Sequence, residues 1–245
     1  MKRKPSTALH GWVLLVLGLC LSVHAQVYSQ NIVGYYNLPL SPGGNLIANQ
    51  FDNGDDTLNS LFTNGTPAGA SFSKWDAALV EYLPLSTYNP GSGWSINYDL
   101  GFGEGGLFNA PVTFTNTFVG SIWPGFSANG PFEPPLVSGT GVFLLSSMIP
   151  IGGATFFDVV GRDPLNGDNV TTLDPLTQQT TTTTCLNGAW NNGDPSLAVG
   201  QSAFFGLGAG NDTSGITVVP EPVTGSLLGA GLLAQAACRR GRGKS

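Results

Sequence analysis

The chain predicts an all-β protein, and three observations lead there. Val112 to Val119 alternates apolar and hydroxyl residues with a period of two, the spacing of a half-buried strand. Short β-branched or aromatic runs recur between Gly, Pro and Asn, the punctuation of turn-linked strands. Glycine and proline (35 and 17 residues) make up about a fifth of the chain, just under the ~25% at which low-complexity disorder becomes the better reading. With 41% apolar residues and 14 Phe, a packed core is available.

In chain order, the strand candidates are 32–36 (Ile-Val-Gly-Tyr-Tyr), 112–119, 141–145 (Gly-Val-Phe-Leu-Leu), 155–160 (Thr-Phe-Phe-Asp-Val-Val) and 216–219 (Ile-Thr-Val-Val). In the run 112–119, Val112, Phe114 and Phe118 share one face. One helical pattern interrupts them: Leu58, Leu61 and Phe62 stand at i, i+3 and i+4 behind a cap at Asp55 or Asp56. Residues 178–184 (Gln-Gln and five Thr) read as a solvated strand or loop.

The body is also internally similar. Leu46-Ile-Ala-Asn49 matches Leu144-Leu-Ser-Ser147, Asp76 matches Asp174, and Trp94 matches Trp190. The spaced pattern Leu100, Gly103, Glu104, Phe108 matches Leu197, Gly200, Gln201, Phe205. All four landmarks recur at offsets of 96 to 98 residues, which points to a tandem repeat. The expected organisation is therefore a signal at 1–25, a β unit at 26–125, a degenerate second unit at 126–219 and a tail at 220–245. The units are expected to be β-sandwiches or barrel-like, with a signal helix before them and a transmembrane-type helix after them.

The ends carry addressing signals. Lys2, Arg3 and Lys4 precede an uncharged apolar run, Trp12 to Val23, and Val23-His24-Ala25 then offers a cleavage site between Ala25 and Gln26. The run falls short of the ~20 residues a spanning helix needs. Lipidation at Cys20 is disfavoured, because Leu19 stands where a small residue is required. At the other end, Pro220-Glu221-Pro222 precedes an uncharged stretch, Val223 to Cys238, followed by Arg239, Arg240, Arg242 and Lys244. The prolines bar a helix at the tripeptide, and the stretch after it can form a helix of about 24 Å. The terminal cations place the tail inside and the body outside the cytoplasmic membrane.

This tail resembles the PEP-CTERM sorting domain, a likeness confined to Val219–Ser245. The resemblance implies export by a Gram-negative bacterium that makes extracellular polysaccharide, and processing by an exosortase, a membrane protease. Pro220, Glu221 and Pro222 would be the recognition element, and Arg239, Arg240 and Arg242 the retention charges. The phrases Asn31-Ile-Val-Gly-Tyr-Tyr36 and Asn45-Leu-Ile-Ala-Asn49, with the later Gly-Glu-Gly (103–105), also resemble a duplicated β module of such exported proteins. That likeness implies no activity.

Charge partitioning narrows the function classes. Seven of nine basic residues lie in the end segments, leaving Lys74 and Arg162 against 15 acids between Asp52 and Glu221. The exported part thus carries about −13, too negative for a nucleic-acid partner, whose binding rests on many Lys and Arg contacts. Both histidines, His10 and His24, precede the cleavage site, which removes imidazole-based nucleophilic catalysis and the usual zinc sites. Cys185 alone remains in the body, so no internal disulfide is expected, and no cofactor is expected either.

Four weaker constellations remain. Gly101-Phe-Gly-Glu-Gly-Gly106 contains the spacing of a dinucleotide loop, but a strand pattern follows where a helix would be needed; it reads as a turn. Asp52-Asn-Gly-Asp-Asp56, like Asn166–Asn169 and Asn191–Asp194, is oxygen-rich enough for calcium but lacks EF-hand spacing. Glu81, Glu104 and Glu133 are candidate glycosidase carboxylates. Trp75, Trp94, Trp123, Tyr82 and Tyr88 could form a sugar-stacking platform, although core packing is the commoner use of aromatics in β proteins. The expectation is a non-catalytic envelope or matrix protein. Its partners would be the export machinery, a signal peptidase, an exosortase-like protease and extracellular polysaccharide. A carbohydrate-binding module is the alternative, and a carboxylate glycosidase comes third.

Overall fold

The computed structural model describes residues 33–62, 65–123 and 136–208, which all fall in one compact unit. The signal cleavage site, the sorting tripeptide, the terminal arginines, Glu133 and the run 216–219 lie outside the described residues. Among the described residues, no helix is long and apolar enough to cross a membrane.

The protein is built mostly of antiparallel β-sheet, as the alternation predicts. The strands are β1 (Val33–Leu40), β2 (Gly43–Ala48), β3 (Ser71–Asp76), β4 (Glu81–Tyr82), β5 (Ser86–Asn89), β6 (Gly93–Trp94), β7 (Gly105–Ala110) and β8 (Phe114–Ser121), then β9 (Gly141–Leu145), β10 (Asn169–Leu173), β11 (Thr180–Leu186), β12 (Ala189–Trp190) and β13 (Ala203–Leu207). Two short helices, α1 (Leu58–Leu61) and α2 (Phe156–Val160), complete the described elements.

Three sheets result. β1 pairs with β8 as a two-stranded ribbon, a second sheet runs β2-β7-β3-β5-β6 with β4 beside β3, and a third runs β9-β13-β10-β11-β12. The last two share a register as well as an order. Phe72 faces Phe108 and Ser86 in one; Val170 faces Phe205 and Thr183 in the other. Tyr88 pairs with Trp94, and Cys185 with Trp190.

Alternation sends each sheet's two faces to different cores. Ile47, Phe72 and Phe108 pack with Leu58, Leu61, Phe62, Trp94 and Phe118 in a first core. Val170 and Phe205 pack with Phe156, Val159 and Val160 in a second. The opposite faces meet in a third cluster of Leu46, Trp75, Val142, Leu144, Leu173 and Phe204. Ribbon residues Tyr36, Leu38 and Leu40 close the first core, while Val33, Tyr35 and Val119 stay exposed. Gly34 and Gly120 face each other in the ribbon. A Cβ at Gly120 would lie 2.3 Å from the Asp52 carbonyl oxygen, so glycine there lets the Phe51–Asp52 backbone cross the ribbon.

Four local expectations are corrected. The run 155–160 is α2 rather than a strand, because Thr155 and Asp158 form a reciprocal capping box and Gly161 closes the helix at φ 79°. The cap of α1 is Thr57, not Asp55 or Asp56. Val112 is exposed before β8 begins, so the apolar face starts at Phe114. Gln178, read as part of a solvated stretch, is half-buried and bonded to a distant strand.

Candidate functional site

The seam between the two larger sheets is held by polar contacts around its apolar cluster. Ala48 N–H donates to Gly200 O (2.9 Å), and Ser146 N–H donates to Gly103 O (2.8 Å). Isolated bridges join Ile47 to Gln201 and Glu104 to Leu145. Gly103 sits at φ 67°, and a Cβ there would lie 2.8 Å from Ser146 O. Glycine is required for that approach.

Gln50 is the densest junction. It is fully buried, its Oε1 accepts from Gly200 N–H (2.8 Å), and its Nε2 lies 2.9–3.3 Å from Ser146 Oγ, Ser147 O, Ser147 Oγ and Ile149 O. A buried amide with this many partners is satisfied only while both sheets are in place.

The edge strands that meet at the seam are capped by side chains from the opposite sheet. Gln178 Oε1 accepts from Gly44 N–H (2.7 Å), and Gln178 Nε2 donates to Gly44 O (3.1 Å), imitating a neighbouring strand on β2. At Val142, which has the same place on β9 as Gly44 on β2, the carbonyl accepts from Trp75 Nε1 (2.8 Å). These caps answer the exposure of unpaired edge groups.

The candidate residues disperse over this frame. Trp75 and Trp94 are buried, and Tyr82 and Tyr88 pack against them, with ring centroids 5.1 and 5.5 Å apart. Burial pushes the Tyr82 phenol well above its usual range. Trp123 lies beyond the end of β8. The rings of Trp75, Trp94, Tyr82 and Tyr88 serve packing rather than one exposed row. Glu104 binds Lys74 Nζ (2.9 Å), and its Oε2 accepts from Gly101 N–H, which locks the glycine-rich turn. Glu81 stands exposed on β4, opposite Asp76. Gly105 opens a strand, so the 101–106 segment is a turn between strands, as its sequence suggests.

The Asp52–Asp56 segment is a self-bonded turn. Asp52 Oδ1 accepts from Gly54 N–H, Asn53 Oδ1 from Asp55 and Asp56 N–H, and Asp55 Oδ2 from Thr57 Oγ1. Burial raises the Asp56 carboxyl above its usual range, against hydrogen bonds from Asn53 and Asn49 and with repulsion from Asp52 and Asp55. Among the described residues, no three His, Cys, Asp or Glu side chains converge as a metal site.

Along β8 the Asp52 turn borders a groove of about 840 Å³, lined by Val33, Asp52–Gly54, Ser60, Leu61 and residues 115–121. A smaller concavity of about 400 Å³ lies beside Lys74, Trp75 and Glu104. Asn116 Nδ2 donates to Leu61 O (3.0 Å) and ties β8 to the chain beneath.

Sequence reasoning missed Gln50, read Gln178 only as part of a solvated run, and met Asp168 only inside the oxygen-rich segment Asn166–Asn169. Asp168 is fully buried, bound by Arg162 Nη1 (2.6 Å) and Nη2 (3.2 Å) and by the Leu165 and Gly208 N–H groups. The available signal was that Arg162 is one of two cations in a strongly acidic body. Gln50 and Gln178 carry no comparable mark. Comparison with protein families, curated proteins and solved structures finds no match.

Proposed function

We propose that this is an exported, non-catalytic protein of the cell envelope or extracellular matrix, built of two homologous β units and sorted by its C-terminal tail. The observation that carries the reading is the tail: Pro220-Glu221-Pro222, an uncharged stretch, then Arg239, Arg240 and Arg242. After export the body would leave the inner membrane for the cell surface or matrix, where its role is structural or adhesive.

The duplication is supported by the shared strand order and register of the two larger sheets. The seam supports it too. Its cluster holds Leu46 with Leu144, Trp75 with Leu173 and Leu107 with Phe204, each pair 97 or 98 residues apart. The two bridges across the seam, Ile47 to Gln201 and Glu104 to Leu145, exchange under the same offsets. Two units meeting through equivalent patches have the character of an isologous dimer interface. Asp76 and Asp174 cap equivalent turns, each accepting from N–H groups two and three residues on.

A non-catalytic role is favoured because Glu104 is tied into the Lys74 pair and the seam, and Glu81 faces solvent on a two-residue strand. A carbohydrate-binding module remains the second reading, with surface Trp or Tyr as its means; burial of Trp75 and Trp94 weighs against it.

Deleting residues 223–245 tests the sorting reading: the body should stay soluble with unchanged melting and lose cell association. Glu221→Ala should leave a membrane-held precursor in the native host. Unaltered size and location of that variant would refute the sorting role. A glycan array showing saturable binding, abolished by replacing an exposed aromatic, would favour the second reading.

A further inference from the structure

We propose that the open edge of β8 docks an extended peptide strand from a partner protein, with a basic residue at the end that meets Asp52. Asp52 and Ser121 exchange both backbone hydrogen bonds (2.9 and 2.8 Å), so Ser121 directs its N–H and C=O away from β1. In an antiparallel ladder that direction alternates residue by residue. Val119, Thr117 and Thr115 therefore present their N–H and C=O groups to the groove as well. Pro39, which has no N–H to give, stands opposite Thr115 and fits this parity.

Among the described residues no backbone group pairs with those three edge positions. Three other edges are covered by side chains, and the outer edge of β1 carries Pro39. Gln178 caps β2, Trp75 caps β9, and Asn191 and Asn192 cap β11 by bonds to Thr184 N–H (2.9 Å) and Thr182 O (3.2 Å). Among the described residues β8 has no such cap, and it carries none of the charges or prolines that guard edge strands. An unpaired edge beside a groove is the template for strand addition.

The shape of the groove selects the occupant. Ser60, Leu61 and the Asp52–Gly54 turn line it together with β8, so its floor extends past the strand's edge. A lone extended chain can lie on that floor. A second folded copy would bring its own core and α1 beneath its β8, into the same space. Among the described residues Asp52 is the only charged one in the lining, and the exported body carries two cations against 15 acids. Charge complementarity thus favours a cation at that end of the bound strand.

Amide hydrogen exchange on the full chain tests the proposal, with a blocked heptapeptide of alternating valine and threonine ending in lysine as probe. The Thr115, Thr117 and Val119 amides should exchange freely alone and slow roughly tenfold or more with saturating peptide. Methylating alternate peptide nitrogens should abolish binding. Replacing the lysine by glutamate should weaken it by about fivefold, or ~1 kcal/mol, and Asp52→Asn should erase that preference while binding persists. Slow exchange of these amides in the free chain would overturn the proposal, as would absence of binding or binding that leaves them unprotected. Concentration-dependent protection without peptide would assign the edge to a second copy and equally overturn it.

Discussion

At the scale of single residues, the consequential groups are buried amides and carboxyls whose partners come from far along the chain. Gln50→Ala would strand the Gly200 N–H and leave the Ser147 carbonyl short of a donor, while the Ile149 carbonyl keeps the Ile151 N–H and the Ser147 hydroxyl. Unpartnered buried groups cost about 1–3 kcal/mol each, so a loss of about 3 kcal/mol is expected in urea unfolding. Asp56 has a pH signature. Its carboxyl holds its proton more tightly in the folded chain than at the ordinary 3.8. Its contribution is therefore complete below that value and declines as pH rises through the window above it, where the unfolded chain ionises first. Asp56→Asn should remove this decline. Melting of the two proteins from pH 3 to 7 checks it: the parent should lose ground to the variant as pH rises, and the opposite slope would contradict the assignment.

Among elements, α2 shows how a cap overrides a pattern. Phe156-Phe-Asp-Val-Val160 is rich in strand-favouring residues, and read alone it belongs in a sheet. The Thr155–Asp158 box and Gly161 set both ends of the helix, and Phe156, Val159 and Val160 then share a buried face at helical spacing. Thr155→Ala should cost about 1 kcal/mol, read from the shift in unfolding midpoint; a neutral result would mean that packing alone holds α2. The sheet has its own constraint at Gly106, where a Cβ would sit 2.0 Å from the Phe72 ring. Gly106→Ala must displace a fully buried aromatic, at about 1–3 kcal/mol. A melting temperature unchanged by this substitution would mean that the Phe72 ring moves aside without cost.

At the scale of the whole molecule, the seam makes the two larger sheets interdependent. They share one apolar cluster and exchange edge caps, so neither keeps its polar groups satisfied alone. Unfolding of the body should follow a single transition by fluorescence and by circular dichroism. Trp75→Phe, which removes the donor to Val142 O, should lower that transition without splitting it. Two separate transitions in the parent protein would show that the seam is not needed by either half. The acidic body and the proposed tail belong to this scale too, since both concern where the protein resides rather than how it packs.

The sequence by itself determined the all-β class, because a period of two and regular turn residues are local properties. It placed β9 at its observed bounds and brought α1 into view, since Leu58, Leu61 and Phe62 meet on one face within a single turn. Composition alone located the acids, the two body cations and the absence of histidine from the body. The tertiary structure decided the rest. It turned Trp75 inward as an edge cap, committed Glu104 to Lys74, drew Gln178 out of a threonine-rich run onto Gly44, and left β8 open. The physical reason is range. A strand's alternation is settled by its neighbours in sequence, whereas a buried amide or a bare edge is defined by what arrives from a hundred residues away, and nothing in the local pattern marks it.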